Sequence, residues 1–257
     1  MGSSSSLHIW TAGRGPTLRL WTLPGLESYF LHMGHFPETI ERWSDRLLVF
    51  FTGWGMDWHA TRHLSLDGFD LVVLYDYTHP VQWSLPCGYS EYHLAAWSLG
   101  VWAAAEWCMA SGLPGFTSAT AINGTLSPID QERGIPPKVF DGTIANWGDA
   151  NARRHFMMRL AGSRQSAESY PLGDRSPESQ QAELRSIADR VRSAQGVAPA
   201  NVFTRALVST RDRIFPPQSQ RAHWSALGTP LLELDAPHSP FELFTSWNEL
   251  LSLGEPN

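Results

Sequence analysis

The stretch His93-Leu-Ala-Ala-Trp-Ser-Leu-Gly-Val-Trp102 places a serine, Ser98, between an apolar run and a helix-forming run. The apolar residues before the serine predict a short buried strand, and residues 101–110 predict a helix. Small residues, Ala96 and Gly100, stand two positions before and two positions after Ser98. A serine in so tight a strand-to-helix turn has a strained backbone, and only small neighbours allow the strand and the helix to approach closely. We therefore expect the hydroxyl to be exposed at the edge of a sheet.

This pattern resembles the nucleophile elbow of the α/β-hydrolases, with Ala96 in place of the usual first glycine. In such an elbow the amide of the next residue, Leu99, lies at a helix N-terminus, where it can face a developing oxyanion. An ordinary strand–helix junction, with Ser98 as an N-capping residue, stays open as the alternative interpretation.

The composition fits one α/β domain with an insertion. The chain has 257 residues, of which 42% are hydrophobic and 17% are charged, which suffices for a full core and excludes a disordered protein. The net charge of −6 argues against wholesale binding to nucleic acid. No apolar run approaches the roughly 18 residues that span a bilayer, and no signal sequence is recognisable. Two cysteines, Cys87 and Cys108, make no disulfide framework, which predicts a cytoplasmic protein.

Apolar runs separated by helical or loop segments predict a mostly parallel sheet with right-handed crossovers. The predicted core strands are residues 46–52, 70–75, 93–97, 118–123, 201–209 and 229–235, and a helix at 241–253 closes the chain. Residues 7–11 and 17–21 predict two further strands joined by a turn.

The chain divides into four expected segments. Residues 1–44 form an N-terminal extension with hairpin strands, 45–143 the first part of a hydrolase core, 144–198 a helical cap, and 199–257 the second part of the core. The cap segment is polar, arginine-rich and helix-rich, and it interrupts the succession of strands.

A serine hydroxyl becomes a nucleophile only when a base takes its proton and an acid holds the tautomer of that base. Asp212 and His238 each follow a later strand by about three residues, on the edge of the sheet where Ser98 emerges. We expect His238 to act first as a general base and then as an acid, and Asp212 to orient its imidazole. Asp130, which follows the fourth strand, stays open as the alternative acid.

An oxyanion hole needs a second donor besides the Leu99 amide, and it is expected in the loop after the first buried strand. That loop is Gly53-Trp-Gly55, where flanking glycines let the backbone aim the Trp54 amide inward. A glycine-rich turn with a packing tryptophan is the alternative interpretation.

His59 and His63 have the i, i+4 spacing of a metal pair on a helix, but no third ligand accompanies them. We expect a solvated helix face there and no metal. The serine, the acid and the histidine supply all the acid–base chemistry, so no cofactor is expected.

Several longer runs resemble the BioG-type pimeloyl-acyl-carrier-protein methyl ester esterases of biotin synthesis. They are Phe50-Phe-Thr-Gly-Trp-Gly-Met56, Leu71-Val-Val-Leu-Tyr-Asp-Tyr77, Ala95-Ala-Trp-Ser-Leu-Gly-Val-Trp102, Ala121-Ile-Asn-Gly-Thr125 and Gly134-Ile-Pro-Pro-Lys-Val-Phe-Asp-Gly-Thr-Ile-Ala-Asn-Trp147. The resemblance extends from about Trp43 to Trp247. The opening, residues 7–16, is more similar to the related BioH-type esterases, and residues 23–43 match neither family.

The resemblance implies a serine esterase whose partner is an acyl carrier protein. Ser98 would attack the methyl ester of pimeloyl-acyl-carrier protein, methanol would leave, and water would release pimeloyl-acyl-carrier protein with a free carboxylate. Two other functions stay open: a general carboxylesterase or thioesterase acting on small acyl esters, and a non-catalytic binding protein with a hydrolase fold.

Acyl carrier proteins are acidic, and the cap segment is locally basic. Residues 150–193 hold eight arginines against five carboxylates in a chain of net charge −6. Such an asymmetry steers an acidic partner, so we expect Arg153, Arg154 and Arg159, on one helical face, to dock the carrier. A solvated helix surface is the alternative interpretation.

Overall fold

The computed structural model describes residues 7–10, 44–194 and 197–254. Within these ranges seven strands form one sheet: β1 (Leu7–Trp10), β2 (Arg46–Phe51), β3 (Asp70–Leu74), β4 (Glu91–Trp97), β5 (Ser118–Ile122), β6 (Arg205–Ser209) and β7 (Leu231–Leu234). The predicted strand at residues 17–21 and the unassigned segment 23–43 lie outside the described residues.

The sheet has the strand order β1-β3-β2-β4-β5-β6-β7. Strand β1 runs antiparallel to β3, and every other neighbouring pair is parallel. The predicted mostly parallel sheet is therefore confirmed. Strands β2 and β4 lie at its centre, and all residues from Leu47 to Phe51 are buried, as expected of a parallel strand covered on both faces.

Seven helices accompany the strands in the described ranges. They are α1 (Leu99–Ala110), α2 (Pro137–Asn146), α3 (Ala150–Ala161), α4 (Arg164–Glu168), α5 (Pro177–Ser193), α6 (Pro217–Ala226) and α7 (Trp247–Leu251). Two short 3-10 helices, Trp58–Thr61 and Phe241–Leu243, lie in loops. None of these helices combines the length and the apolar character that crossing a bilayer requires.

Helices α2 to α5 lie between β5 and β6, and we refer to them as the cap. Helix α2 spans residue 144, the expected start of the cap segment. Helix α5 starts where Ser176 accepts a hydrogen bond from the Ser179 amide and Pro177 occupies the first turn. The longest cap helix is thus well defined at its N-terminus.

The C-terminal segment differs from the predicted single helix at 241–253. Phe244 is extended, and Ser246 caps the new helix α7 by accepting a hydrogen bond from the Glu249 amide. The segment therefore folds as a 3-10 turn followed by α7. Strand β6 also starts later than predicted, because Asn201 forms a turn by accepting a hydrogen bond from the Phe203 amide.

Candidate active site

Ser98 occupies the turn between β4 and α1 with a left-handed backbone, φ 58° and ψ −127°. The close approach around it requires glycine at two positions. A Cβ at Gly100 would lie 2.3 Å from the carbonyl oxygen of Thr52, and a Cβ at Gly124 would lie 2.2 Å from the carbonyl oxygen of Ser98. The Ser98 side chain makes no capping hydrogen bond, so the interpretation of this residue as an ordinary N-cap is not supported.

The structure brings Ser98, His238 and Asp212 together in one hydrogen-bonded series. His238 Nε2 lies 2.9 Å from Ser98 Oγ, and His238 Nδ1 lies 2.7 Å from Asp212 Oδ2. All three side chains are buried. The carboxylate accepts the proton on Nδ1, which leaves Nε2 free to accept the serine proton.

Asp212 is fixed by further donors. Its Oδ1 accepts hydrogen bonds from the amides of Ile214 (2.7 Å) and Phe215 (2.9 Å), and its Oδ2 accepts one from Gln220 Nε2 (3.1 Å). These bonds satisfy a buried carboxylate and set the direction of the oxygen that faces His238.

The backbone of His238 is held by two side chains that sequence reasoning missed. Its carbonyl accepts hydrogen bonds from Trp97 Nε1 (2.9 Å) and Asn123 Nδ2 (2.8 Å). Asn123 also accepts from the Ser209 amide through Oδ1 (2.7 Å). The available signal was its place at the end of a strand, where asparagine tolerates the left-handed φ of 48° that it has here.

The alternative acid, Asp130, lies in a different environment. Its carboxylate accepts hydrogen bonds from the amides of Glu132 and Arg133 within its own loop. It also lies near His223, whose Nε2 accepts a hydrogen bond from the Leu126 amide. Burial, and to a smaller extent Arg133, lower the pKa of His223 to about 4, and Asp130 opposes part of that shift.

His59 and His63 do not form a pair. His59 Nδ1 lies 2.8 Å from Asp57 Oδ1, while His63 Nε2 lies 3.1 Å from the carbonyl oxygen of Phe241. The expected helix face is wrong, because the 3-10 helix ends at Thr61, before His63. Across residues 44–194 and 197–254, no cluster of three or more His, Cys, Asp or Glu side chains could hold a metal ion.

Ser98 and His238 open into a cavity with a mostly apolar wall. Trp54 and Leu99, the two expected oxyanion residues, line the same cavity. A Cβ at Gly53 would lie 3.3 Å from Ser98 Cβ, so the loop that carries Trp54 packs against the serine. The cap contributes Val139, Phe140, Phe156, Leu160 and Leu184.

The three candidate docking arginines have different surroundings. Arg159 lines the cavity beside Ser98, whereas Arg153 donates to the Trp147 carbonyl (2.7 Å) and Arg154 donates to Asn151 Oδ1 (2.6 Å). At 3.6 residues per turn, Arg159 is rotated by about 120° from Arg153 and about 140° from Arg154. The expected single helical face is therefore wrong for Arg159.

Arg159 is also unusual in its burial. Its Nε is buried and has no hydrogen-bond partner among the described residues, and burial lowers the pKa of its guanidinium group.

Ion pairs within the fold neutralise part of the excess positive charge of the cap segment. Arg175 pairs with Glu183 and Asp76, Arg190 with Glu106, and Arg192 with Asp141. Because these side chains neutralise one another within the fold, the cap is less basic toward a partner than its sequence indicates.

Comparison with known proteins gives the family. A family model described as pimeloyl-ACP methyl esterase BioG matches residues 37–250. The crystal structure of BioG from Haemophilus influenzae is 32% identical, with a TM-score of 0.73, covering 82% of this chain and 96% of that chain.

Two further proteins are similar to this chain, one in sequence and one in fold alone. A Bacteroides fragilis protein named malonyl-[acyl-carrier protein] O-methyltransferase is 33% identical over 194 residues, which are 74% of this chain and 39% of that protein. The bromoperoxidase from Bacillus anthracis shares the fold alone, with 14% identity and a TM-score of 0.56 over 81% of this chain and 91% of that chain. Together with the sheet topology, these likenesses confirm the α/β-hydrolase fold.

Proposed function

We propose that this chain, which belongs to the BioG family of pimeloyl-ACP methyl esterases, hydrolyses the methyl ester of pimeloyl-acyl-carrier protein. The products are pimeloyl-acyl-carrier protein with a free carboxylate, and methanol. The observation that carries the proposal is the hydrogen-bonded series Ser98–His238–Asp212 at the floor of an apolar cavity.

In the first half of the reaction His238 Nε2 takes the Ser98 proton while Oγ attacks the ester carbonyl carbon. The amides of Trp54 and Leu99 stabilise the negative charge that develops on the carbonyl oxygen. The imidazolium, held by Asp212, then donates its proton to the departing methoxide, which leaves as methanol. An acyl ester on Ser98 remains.

In the second half a water molecule replaces the alcohol. His238 takes a proton from the water, whose oxygen attacks the acyl carbonyl carbon. As the intermediate collapses and the bond to Oγ breaks, the His238 imidazolium donates that proton to Ser98 Oγ. The carboxylic acid that is released loses its proton to the solvent at neutral pH, because its pKa is about 4. The enzyme is restored with all protons accounted for.

The cavity favours a long hydrocarbon substrate. Its wall is mostly apolar, with contributions from both the core and the cap, which suits the methylene chain of a pimeloyl group. A second cavity, between α2 and α3, shares four lining residues with the first: Val139, Thr143, Phe156 and Arg159. The two adjoining cavities give the acyl chain and the carrier's phosphopantetheine arm a route through the cap.

Arg159 lines both cavities, which supports a contact of its guanidinium group with polar atoms of the arm rather than with the carrier surface. Arg154 is exposed and Arg153 half-buried on the outside of α3, where they can meet acidic residues of the carrier. Docking therefore divides into a surface contribution and a cavity contribution.

The Bacteroides fragilis relative supports a carrier-bound methyl ester. Its name describes O-methylation of a malonyl group on an acyl carrier protein, and 39% of its length resembles this chain. A methyl ester on a carrier-bound acyl group is the bond that the proposed reaction removes. For this chain the serine, histidine and aspartate favour hydrolysis rather than methyl transfer.

The test combines a chemical label with a product assay. A fluorophosphonate should label Ser98, and the wild-type protein should convert the carrier-bound methyl ester to the acid, seen by mass spectrometry of the intact carrier. Ser98→Ala should do neither. Turnover retained in Ser98→Ala would refute the assignment of the nucleophile, and labelling without conversion of the carrier substrate would indicate a general carboxylesterase instead.

A further inference from the structure

Glu183 is a fully buried carboxylate in the middle of cap helix α5. Its Oε2 accepts a hydrogen bond from the Gly55 amide (3.1 Å), and its Oε1 accepts one from the Tyr77 amide (2.9 Å). Arg175 Nη1 donates a third, at 2.6 Å. A side chain of the cap is thus bonded to the backbone of the loop that carries Trp54.

Gln180, one turn earlier on α5, holds the same loop from a second direction. The side-chain Nε2 of Gln180 donates a hydrogen bond to the Gly55 carbonyl (2.9 Å). The backbone carbonyl of Gln180 accepts a hydrogen bond from Trp54 Nε1 (2.6 Å). Both backbone polar atoms of Gly55 are therefore bonded to side chains of one cap helix.

Aromatic packing adds to these hydrogen bonds. The Trp54 ring lies 4.4 Å from the Trp147 ring and 5.3 Å from the Phe156 ring, measured between centroids. Both partners belong to the cap region. The cap therefore holds the side chain of Trp54 as well as the backbone of the neighbouring Gly55.

The loop needs such external support because its own sequence leaves one peptide unit free to flip. The Met56 amide donates to the Gly53 carbonyl (3.1 Å), which closes a turn with Trp54 and Gly55 at its centre. Gly55 has a φ of +70°, as in a type II turn, and types I and II differ by a flip of the central peptide. The central peptide here joins Trp54 to Gly55, so the hydrogen bond from the Gly55 amide to Glu183 holds one of these two states, while the Trp54 amide lies in the preceding peptide unit of the same turn.

Contact between the cap and the core does not by itself require a buried carboxylate at position 183. Burial raises the pKa of the Glu183 carboxyl, and Arg175 partly offsets that rise. Buried ion pairs are often no more stabilising than apolar residues of similar volume. What a carboxylate provides here, and an apolar side chain does not, is a directed acceptor for the Gly55 amide.

We propose that Glu183 is a positioning residue of the active site. By holding the Gly55 amide it fixes the Trp54–Gly55 peptide, and with it the turn in which the preceding peptide unit presents the Trp54 amide to the reacting carbonyl oxygen. The cap is then part of the oxyanion hole as well as the wall of the acyl cavity. This inference rests on the proposed function in one respect, the assignment of the Trp54 amide as an oxyanion donor.

The test is Glu183→Gln, in which the amide group replaces one acceptor oxygen with a donor. With a nitrophenyl ester, kcat should fall by about 10- to 100-fold, less than the loss of a whole oxyanion donor, while KM stays unchanged. The matched control is Asp189→Asn, an exposed acid on the same helix, which should keep the wild-type kcat.

Two inhibitors separate positioning from general damage. Hexyl trifluoromethyl ketone forms a tetrahedral adduct with the serine, and its affinity should fall in proportion to kcat/KM. Hexanoate, which forms no adduct, should bind Glu183→Gln and wild type equally. An unchanged kcat, or an equal loss of affinity for both inhibitors, would overturn the proposal.

Should Glu183→Gln fail to fold, Gln180→Ala tests the support of the same loop at its second hydrogen bond to the cap, without stranding a charge. It removes the bond to the Gly55 carbonyl and should lower kcat on the nitrophenyl ester at unchanged KM, whereas a wild-type kcat would count against the proposal. Because the nitrophenyl ester needs no carrier, failure on the carrier substrate would affect the proposed function and leave this test intact.

Discussion

Asp212 and His238 are separated by 26 positions in the chain, yet their side chains lie 2.7 Å apart. The sequence indicated this contact because both residues follow parallel strands at the same edge of the sheet. The roles of these residues, and of Trp54 and Leu99, remain predictions that kinetic experiments must test.

Asp212→Asn should lower kcat on a nitrophenyl ester by about ten-thousand-fold, because an amide donor facing Nδ1 favours the wrong tautomer of His238. The amides of Ile214 and Phe215 still bond the unchanged oxygen, so the fold should survive. Circular dichroism and steady-state kinetics check both statements. Asp130→Asn is the matched control, and a comparable loss of kcat in that variant would assign the acid to Asp130.

His223 should make the stability depend on pH. Its pKa in the folded protein is about 4, below its ordinary value of 6.5, so between these values the unfolded chain binds more protons. The free energy of unfolding should therefore decrease as the pH falls through this window, by up to about 1.4 kcal/mol per pH unit from this group.

The check is urea denaturation of wild type and His223→Gln at several pH values between 4 and 6.5. Glutamine keeps an acceptor for the Leu126 amide but does not titrate. The variant should show the shallower dependence on pH, and identical slopes would mean that His223 does not contribute.

At the scale of elements, the strand-to-helix turn depends on close contact between neighbouring segments. Gly124→Ala would place a Cβ 2.2 Å from the Ser98 carbonyl and 2.8 Å from Val101 Cγ2. We expect a destabilisation of about 1–3 kcal/mol, measured by thermal or chemical denaturation, together with reduced turnover. Gly142→Ala in α2 is the control, since no atom of the described residues outside its own helix backbone lies within 4 Å of its added Cβ. It should keep the wild-type turnover and be at least as stable as wild type, because alanine favours a helix interior over glycine.

Charge reversal on α3 tests the surface contribution to docking. Arg153→Glu combined with Arg154→Glu should raise KM for the carrier substrate, because an acidic partner is repelled rather than attracted. The same variant should hydrolyse a small nitrophenyl ester at the wild-type rate. Equal effects on the two substrates would remove these arginines from the docking surface.

The strands were the most predictable elements, because runs such as residues 47–51 are buried on both faces of the sheet and carry little else but apolar side chains. The C-terminal helix was predicted too long, since the periodicity of apolar residues continues through the break at Phe244. Only the extended backbone there and the cap at Ser246 divide it.

At the scale of the whole molecule, the contacts between cap and core were the least predictable. Glu183 and Arg175 look like surface charges in a polar helical segment, and nothing local marks them as buried. Their partners, the backbone of Gly55 and Tyr77 and the side chain of Asp76, are more than 90 positions away in the chain. Such pairings follow from the tertiary structure and not from any local pattern.

The most direct measurement is kcat/KM for pimeloyl-acyl-carrier-protein methyl ester, compared with dimethyl pimelate without a carrier. We predict a strong preference of the wild-type protein for the carrier-bound ester, and loss of both activities in Ser98→Ala. Equal values for the two substrates would contradict carrier recognition and point to a general carboxylesterase. Activity that persists in Ser98→Ala would contradict the catalytic assignment itself.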